Sequence, residues 1–425
     1  MAQAVMTGPS AEARVPMMTT DGEPLKVSLR RAERRRKIAA LALVLPLLTF
    51  VMITFVIPIG DMALRSIHNP QVVSVLPRTV EALQGWDGEE LPGEPVFAAF
   101  AADLEQARVE RTAGHVGARL NYERSGMRSA FQRASRGANR LEPPYREALI
   151  DLDPTWGQVD VWRLIQRESS PYTLSYYIAA FDMRYDAQGN IVSQPSGQQI
   201  YLALFTRTLW LSLVITFMTL LLGYPIAYLM AHLPLRYSNL LMILVLLPFW
   251  TSLLVRTTAW IVLLQSQGVL NDVLVAARVI SDAQRLQMIH NQIGTIVAMT
   301  HILLPFMVLP LYSVMRTIPP SYVRAARSLG ANPFTAFVKV YWPQTLPGIG
   351  AGAVLVFIIS IGYYITPALV GGQTGQMISN LIAFHMQNSL NWGLAAALGT
   401  ILLAGVIVLY FAYNRIIGVD KMKLG

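Results

Sequence analysis

The stretch SYVRAARSLGANPFTAFVKVYWPQTLPG, Ser321–Gly348, lies between two strongly apolar runs, yet it is basic and broken by glycine and proline. Its local chemistry predicts a short helix, a turn and a second helix. Pro319 and Pro320 stop the preceding helix, and Ser321 can cap a new one. Tyr322, Ala325, Ala326 and Leu329 then fall at i, i+3, i+4 and i+7, on one helical face with a small centre that allows close approach. Gly330 suits the left-handed residue that follows a helix, Asn332 an N-cap, and Pro333 the first position of the next helix. Pro343 and Pro347 are expected to end the unit, and FxxFVKVYW to dock it on its neighbours. A rigid lever with a small face for a partner's groove fits this pattern.

The rest of the chain says what such a lever would act on. Of 425 residues, 53% are hydrophobic and only 14% charged, too little charge to cover a soluble surface. A bilayer core needs roughly 20 apolar residues per helix. Six runs qualify: about 38–60, 203–231, 239–265, 292–315, 346–370 and 393–416. All but the last contain proline, which spans tolerate because neighbours satisfy the freed carbonyls. The first run follows SLRRAERRRK, is too long for a signal peptide and has no small-x-small site after it, so it is expected to stay as a span. The basic stretch before it is expected on the anionic lipid of the inner leaflet.

Lysine and arginine set the orientation. With the N-terminus inside, the inner segments carry 16 of them and the two short outer segments only Arg278 and Arg285. Both termini and the opening stretch are then cytoplasmic. The expected organisation is a basic cytoplasmic tail (1–37), a first transmembrane helix (38–66), an extracytoplasmic insertion (67–200) and a core of five transmembrane helices (201–425) containing the loop 319–347. The insertion holds 17 acidic residues and 13 arginines but no lysine. Within it, 97–137 reads as helix with breaks near Gly114 and Gly126, and DAQGN at 186–190 as a turn. The fold class is therefore an all-α polytopic membrane protein with six transmembrane helices, a large insertion between the first two and a cytoplasmic helix pair. The insertion reads either as a solvated cap or as a docking surface for an external partner.

Chemistry is sparse. There is no cysteine, no HExxH, no GxSxG and no GxxxxGK[ST], and the six histidines lack ligand spacing, so neither a catalytic nor a metal site is expected. The net charge of +9 flanks apolar runs and does not point to nucleic acid. Arg256 is the one clear charge inside an apolar run, and no acid lies deep in any, which argues against a proton- or sodium-coupled carrier and for energy supplied by another subunit. Arg256, Trp260, Tyr363 and Tyr364 are the candidate solute-pathway residues, since aromatic faces hold cations and amphipathic solutes. For Arg256 the alternative is a structural contact to carbonyls near the interface.

The opening stretch resembles the cytoplasmic EAA loop of ABC importer permeases, whose pattern is E-A-A-x3-G-x9-I-x-L-P. Ala325, Ala326, Gly330 and Pro343 stand in register; Val340 replaces the Ile, Trp342 the Leu, and Arg324 the usual Glu. The segments 208–231, 248–264, 303–315 and 365–372 are similar to the spermidine/putrescine-type branch. Where that branch often has G-E-F, this chain has Gly362, Tyr363 and Tyr364. The resemblance covers roughly 38–66 and 200–420 and leaves out the insertion. It implies a permease subunit of an ATP-binding-cassette importer for a polyamine or related organic solute, in the cell inner membrane. Its implied partners are a second homologous permease, a periplasmic solute-binding protein and a cytoplasmic ATPase dimer that binds the ATP, the permease itself carrying no cofactor. The residues 324–326, 330, 340 and 343 would couple to that ATPase. The alternative is a membrane-anchored receptor or assembly protein acting through its insertion.

Overall fold

A computed structural model describes residues 25–417, and side-chain environments for 33–415. Most of the basic tail 1–37, and Lys421 and Lys423, lie outside the described residues. The chain divides into two compact units, one up to Met62 and one from Ala63.

In the first unit a single helical rod runs through Leu25–Val51, a π-helical turn Met52–Val56 and on into Ile57–Arg65. Leu43, Phe50 and Ile57 on this rod are all exposed, which in lipid is the comfortable state for an apolar side chain. With Pro46 inside it, the rod is longer than the expected 38–60 by several residues at each end.

The second unit begins with the insertion. Residues 67–200 form a bundle of short helices and one hairpin around an aromatic core: Phe97, Phe100, Phe131, Trp156 and Trp162 are fully buried, with ring centroids 4.7–6.2 Å apart. These rings bury enough apolar surface to hold the domain without disulfides. Over the stretch read as broken helix, the helices are Glu94–Glu110, Ala113–Asn121 and Met127–Gly137. The first break therefore falls at Arg111, at φ +60°, and not near Gly114 as expected; the second has Gly126 at φ +94°. At 186–190 the turn joins strands Met183–Tyr185 and Ile191–Ser193, with Gly189 at φ +87°. The Asp186 carboxylate closes that turn by accepting the Asn190 and Gln188 amides, which hold its pKa below the usual range.

The insertion closes at a neck. Asn69 N–H donates to Pro171 O and Thr173 N–H to Ile67 O, both at 2.8 Å. Behind them Arg119 is buried against fully buried Glu168 at 2.6 Å and Asn69 Oδ1 at 2.7 Å, and Ser175 also donates to Glu168. A buried charge pair costs desolvation but, fully bonded as here, fixes one geometry.

Among the described residues, six helical stretches are long and apolar enough to cross a membrane: Glu33–Arg65, Tyr201–His232, Leu253–Ala276, Gln292–Thr317, Pro333–Gly362 and Trp392–Arg415. This is an all-α polytopic protein. Two further spans differ from expectation. The apolar run 239–265 is not one helix: Pro248 sits in a 3-10 turn, Thr251 is extended, and Ser252 caps a new helix through Val255 N–H, leaving Leu235–Trp250 as a separate short helix. The helix that Ser252 caps ends at Leu264, and after a turn over 265–268 a further helix, Val269–Ala276, completes the third span; its Asp272 pairs with Arg285 at 2.8 Å. The fifth run, 346–370, breaks at Tyr363–Tyr364, and its helix starts far earlier, at Pro333.

The second, fourth and fifth spans form the tightest packing, around fully buried Leu303, Met307, Val308 and Leu311. Glycines on the fifth span make room for the fourth. A Cβ at Gly348 would lie 3.2 Å from Leu311 Cα, and one at Gly352 would lie 2.7 Å from Met307 Sδ and 3.2 Å from its carbonyl oxygen. Between them Gly350 faces the Tyr413 hydroxyl of the sixth span. Small residues four apart are how helices approach closely where lipid gives no hydrophobic drive.

Candidate functional site

The opening stretch forms two helices, Pro320–Ser328 and Pro333–Ala336, joined by a tight turn. The first starts at Pro320, with Pro319 at the N-cap and no side-chain cap, so Ser321 does not cap it; a proline at the first position needs no acceptor for an N–H it lacks. Gly330 lies at φ +90° with open space around it, and Ala331 N–H returns to Ala326 O at 3.1 Å. Asn332 accepts the Thr335 N–H at 2.7 Å. Pro343 and Pro347 do not end the unit. A π turn at Phe337–Tyr341, in which Trp342 N–H bonds Phe337 O, carries the second helix into the fifth span without interruption. The Gln344 amide takes up Val340 O at 2.7 Å beside Pro343.

Exposure shows which side of the pair is anchored. Val323 and Phe337 pack on the helix core, and Tyr341 is buried among the rings of Tyr228, His232 and Phe337, with centroids 5.3–5.7 Å apart. Val340 is half-buried and Pro343 exposed. Phe334 does not dock: it is 76% exposed, as are Leu329 (89%) and Tyr322 (51%). Ala325 is exposed and Ala326 half-buried, so the predicted small face is open at its centre. Arg324 is exposed and has no ion-pair partner among the described residues. The tip is thus apolar, rimmed by arginine and uncovered, a composition that marks an interaction surface.

The second constellation lies inside the helical body. Arg256 and Trp260 are one turn apart on the third span. The Trp260 N–H donates to His301 Nδ1 of the fourth span at 3.2 Å, which puts the proton of a neutral His301 on Nε2. Arg256 lies within electrostatic reach of His301 and Tyr363, and its buried Nε has no hydrogen-bond partner. Thr257 and Thr366 meet at 3.3 Å beside them. Three of the four expected pathway residues therefore converge, and His301 joins them. Tyr364 enters through its backbone: where the fifth span ends, Ser379 Oγ donates to Tyr363 O at 2.6 Å and Asn380 Nδ2 to Tyr364 O at 2.7 Å. Sequence spacing offered no sign of Ser379 or Asn380, since their partners are carbonyls freed by a break that hydropathy does not register. Among the described residues no group of His, Asp and Glu could hold a metal.

A helix pair continuous with a membrane helix, and a broken span beside an intramembrane cation, are the two constellations of this body. Residues 223–417 match the family of binding-protein-dependent transport system inner membrane components. The spermidine/putrescine transport system permease protein PotB of Haemophilus influenzae is 37% identical over 221 residues, 50% of this chain and 77% of that protein. PotB of Escherichia coli is 33% identical over 228 residues (53% and 82%), and the inner membrane ABC transporter permease protein YdcU of the same organism 32% over 227 (50% and 70%). A crystal structure of a bacterial alginate ABC transporter superposes with a TM-score of 0.39 at 18% identity, over 51% of this chain and 78% of that one. The chain belongs to the family of binding-protein-dependent transport system inner membrane components, as a multi-pass inner-membrane permease similar to those of spermidine/putrescine systems. The family match begins at residue 223, so the insertion lies outside it.

Proposed function

We propose that this chain forms half of the path by which an ATP-driven importer moves a polyamine or related organic solute. A periplasmic binding protein delivers the solute on the insertion side, a second permease supplies the other half, and a separate ATPase dimer, which binds the ATP, docks on 320–336. Both chain termini lie on that ATPase side. The observation that carries the reading is the unbroken helix from Pro333 to Gly362: it joins an uncovered docking tip at one end to the break at Tyr363 at the other. Closure of the ATPases would move the tip as a rigid body, and the same helix would move the break. Relatives named for spermidine and putrescine support the solute class.

The test is reconstitution with a companion permease, an ATPase and a solute-binding protein. Spermidine- or putrescine-loaded binding protein is expected to stimulate ATP hydrolysis and drive uptake. Stimulation by another solute alone would overturn the polyamine class, and failure of any ATPase to co-purify would overturn the importer.

Within the pathway, Tyr363→Ala removes an aromatic face beside Arg256 and is expected to cut uptake about tenfold, in line with the order of 1–2 kcal/mol for a partly desolvated cation–π contact. Basal ATP hydrolysis should persist, because the tip is untouched. Wild-type uptake in this variant would place Tyr363 on a lipid-facing or purely structural surface.

A further inference from the structure

The insertion has no counterpart in the family match, yet it is wired into the permease body, chiefly through its helix Ser175–Ala180. We propose that its seating sets the geometry of the break at Tyr363–Tyr364, so that a load on the insertion moves the mouth of the solute path.

The connection can be followed atom by atom. Beyond the neck, Tyr176 on the helix Ser175–Ala180 lies under the Arg119 guanidinium, 4.8 Å from ring centroid to Cζ. The Cδ2–Cε2–Cζ edge of the same ring presses on Gly393 at the start of the sixth span. A Cβ there would come within 2.3 Å of the ring, so only glycine permits the contact. Tyr176 and Ala180 share a buried cluster with Tyr201, Ile378, Leu394 and Leu398. A second touch is made by Tyr122, whose hydroxyl donates to Ser389 O at 3.1 Å.

Ile378 begins the helix Ile378–Gln387, which is held from three directions. Its first N–H donates to Thr208 Oγ1 of the second span at 2.8 Å. His385 near its far end meets the Tyr201 hydroxyl at 3.2 Å and Ser389 Oγ at 2.9 Å. Its first turn carries Ser379 and Asn380, the two side chains that hold the freed carbonyls of Tyr363 and Tyr364. Displacing the helix must lengthen those two bonds or drag the break along. Packed side chains and satisfied buried hydrogen bonds deform little, so the shift passes on and is not absorbed. Tyr176 and Gly393 are thus positioning residues for a mouth they do not touch, and Ser379 and Asn380 are its direct holders.

The proposal uses the reading of Tyr363 and Tyr364 as pathway residues only in its second test. The first uses the full-length chain in lipid nanodiscs and amide hydrogen exchange. Gly393→Val drives a branched side chain into the Tyr176 ring and should raise exchange across 378–388 by about tenfold, as expected when a local unit loses its packing. The insertion core at 97–104 and the fourth span should not change. Tyr176→Ala should act the same way, and Tyr176→Phe, which keeps the ring, should be silent. Unchanged exchange at 378–388, or a rise spread evenly over all spans, overturns the proposal. The second test is uptake by the reconstituted importer. Gly393→Val and Asn380→Ala should each lower it about tenfold, and the double variant should be no worse than the poorer single, the non-additivity expected of residues on one linkage. Independent, multiplying effects would overturn it. Absence of uptake in the wild type would instead count against the proposed function and leave the exchange result standing.

Discussion

Leu329→Asp is expected to abolish ATP-driven uptake while leaving the chain folded and inserted. Leu329 is 89% exposed, so its loss costs little here. Seated in a partner's groove it would contribute about 2 kcal/mol of apolar burial. An unpaired carboxylate in the same groove adds at least the cost of an unbonded neutral polar group, about 1–3 kcal/mol, and far more where it stays ionised. Together they weaken docking on the order of a hundredfold or more. The ATPase should then fail to co-purify, or hydrolyse ATP without transport. Ser328→Ala is the control: its hydroxyl only returns to Arg324 O at 3.1 Å, and the variant should behave as wild type. Bound ATPase and normal uptake in Leu329→Asp would show that the helix pair is an idle loop.

The second large effect is structural. Gly352→Leu places four carbons where Met307 Sδ already stands 2.7 Å from the ideal Cβ position, with the Met307 carbonyl 3.2 Å away. The methionine can swing aside, but the backbone cannot without parting the fourth and fifth spans. Overpacking of this kind costs about 1–3 kcal/mol or more, and the pair it disrupts is the centre of the largest buried cluster in the membrane body. The variant should be recovered at a small fraction of the wild-type level in membranes, by quantitative immunoblot, with its residue unfolding at lower temperature. Gly362→Leu, at a glycine with nothing within 4 Å, should accumulate normally. Equal accumulation of both would mean that the close approach at Gly352 is not needed.

How far these features could be read beforehand depends on their range. The six spans and the helix pair rest on local signals, namely apolar length, Gly330 as the left-handed residue and Asn332–Pro333 as a helix start, and these act within a few residues. The break at Thr251–Ser252 and the continuity through Pro343 do not, because both depend on neighbours that supply or remove hydrogen-bond partners. Pro343 looked like a stop, but a π turn and the Gln344 side chain carry the helix past it. Arg256, Trp260 and Tyr363 stand out in the sequence as polar or aromatic residues in apolar runs, whereas His301 is one of six histidines without ligand spacing and Ser379 and Asn380 are indistinguishable from loop polarity. The insertion, whose aromatic core joins residues 97–162, was legible only in pieces, since its contacts are long-range.

The placement of the glycines along the fifth helix has a mechanical consequence. Thirty residues make a rod about 45 Å long at 1.5 Å per residue. Gly348 and Gly352, where the fourth helix grips it backbone to backbone, lie near its midpoint. A bar gripped at its centre is a see-saw: it can rock about the fulcrum but not slide through it. A tilt of about 10° would swing each end by about 4 Å in opposite directions, since each arm is about 22 Å. Drawing the tip inward would push the Tyr363 end outward by the same amount, so a single pivot would make opening at one face and closing at the other the same event.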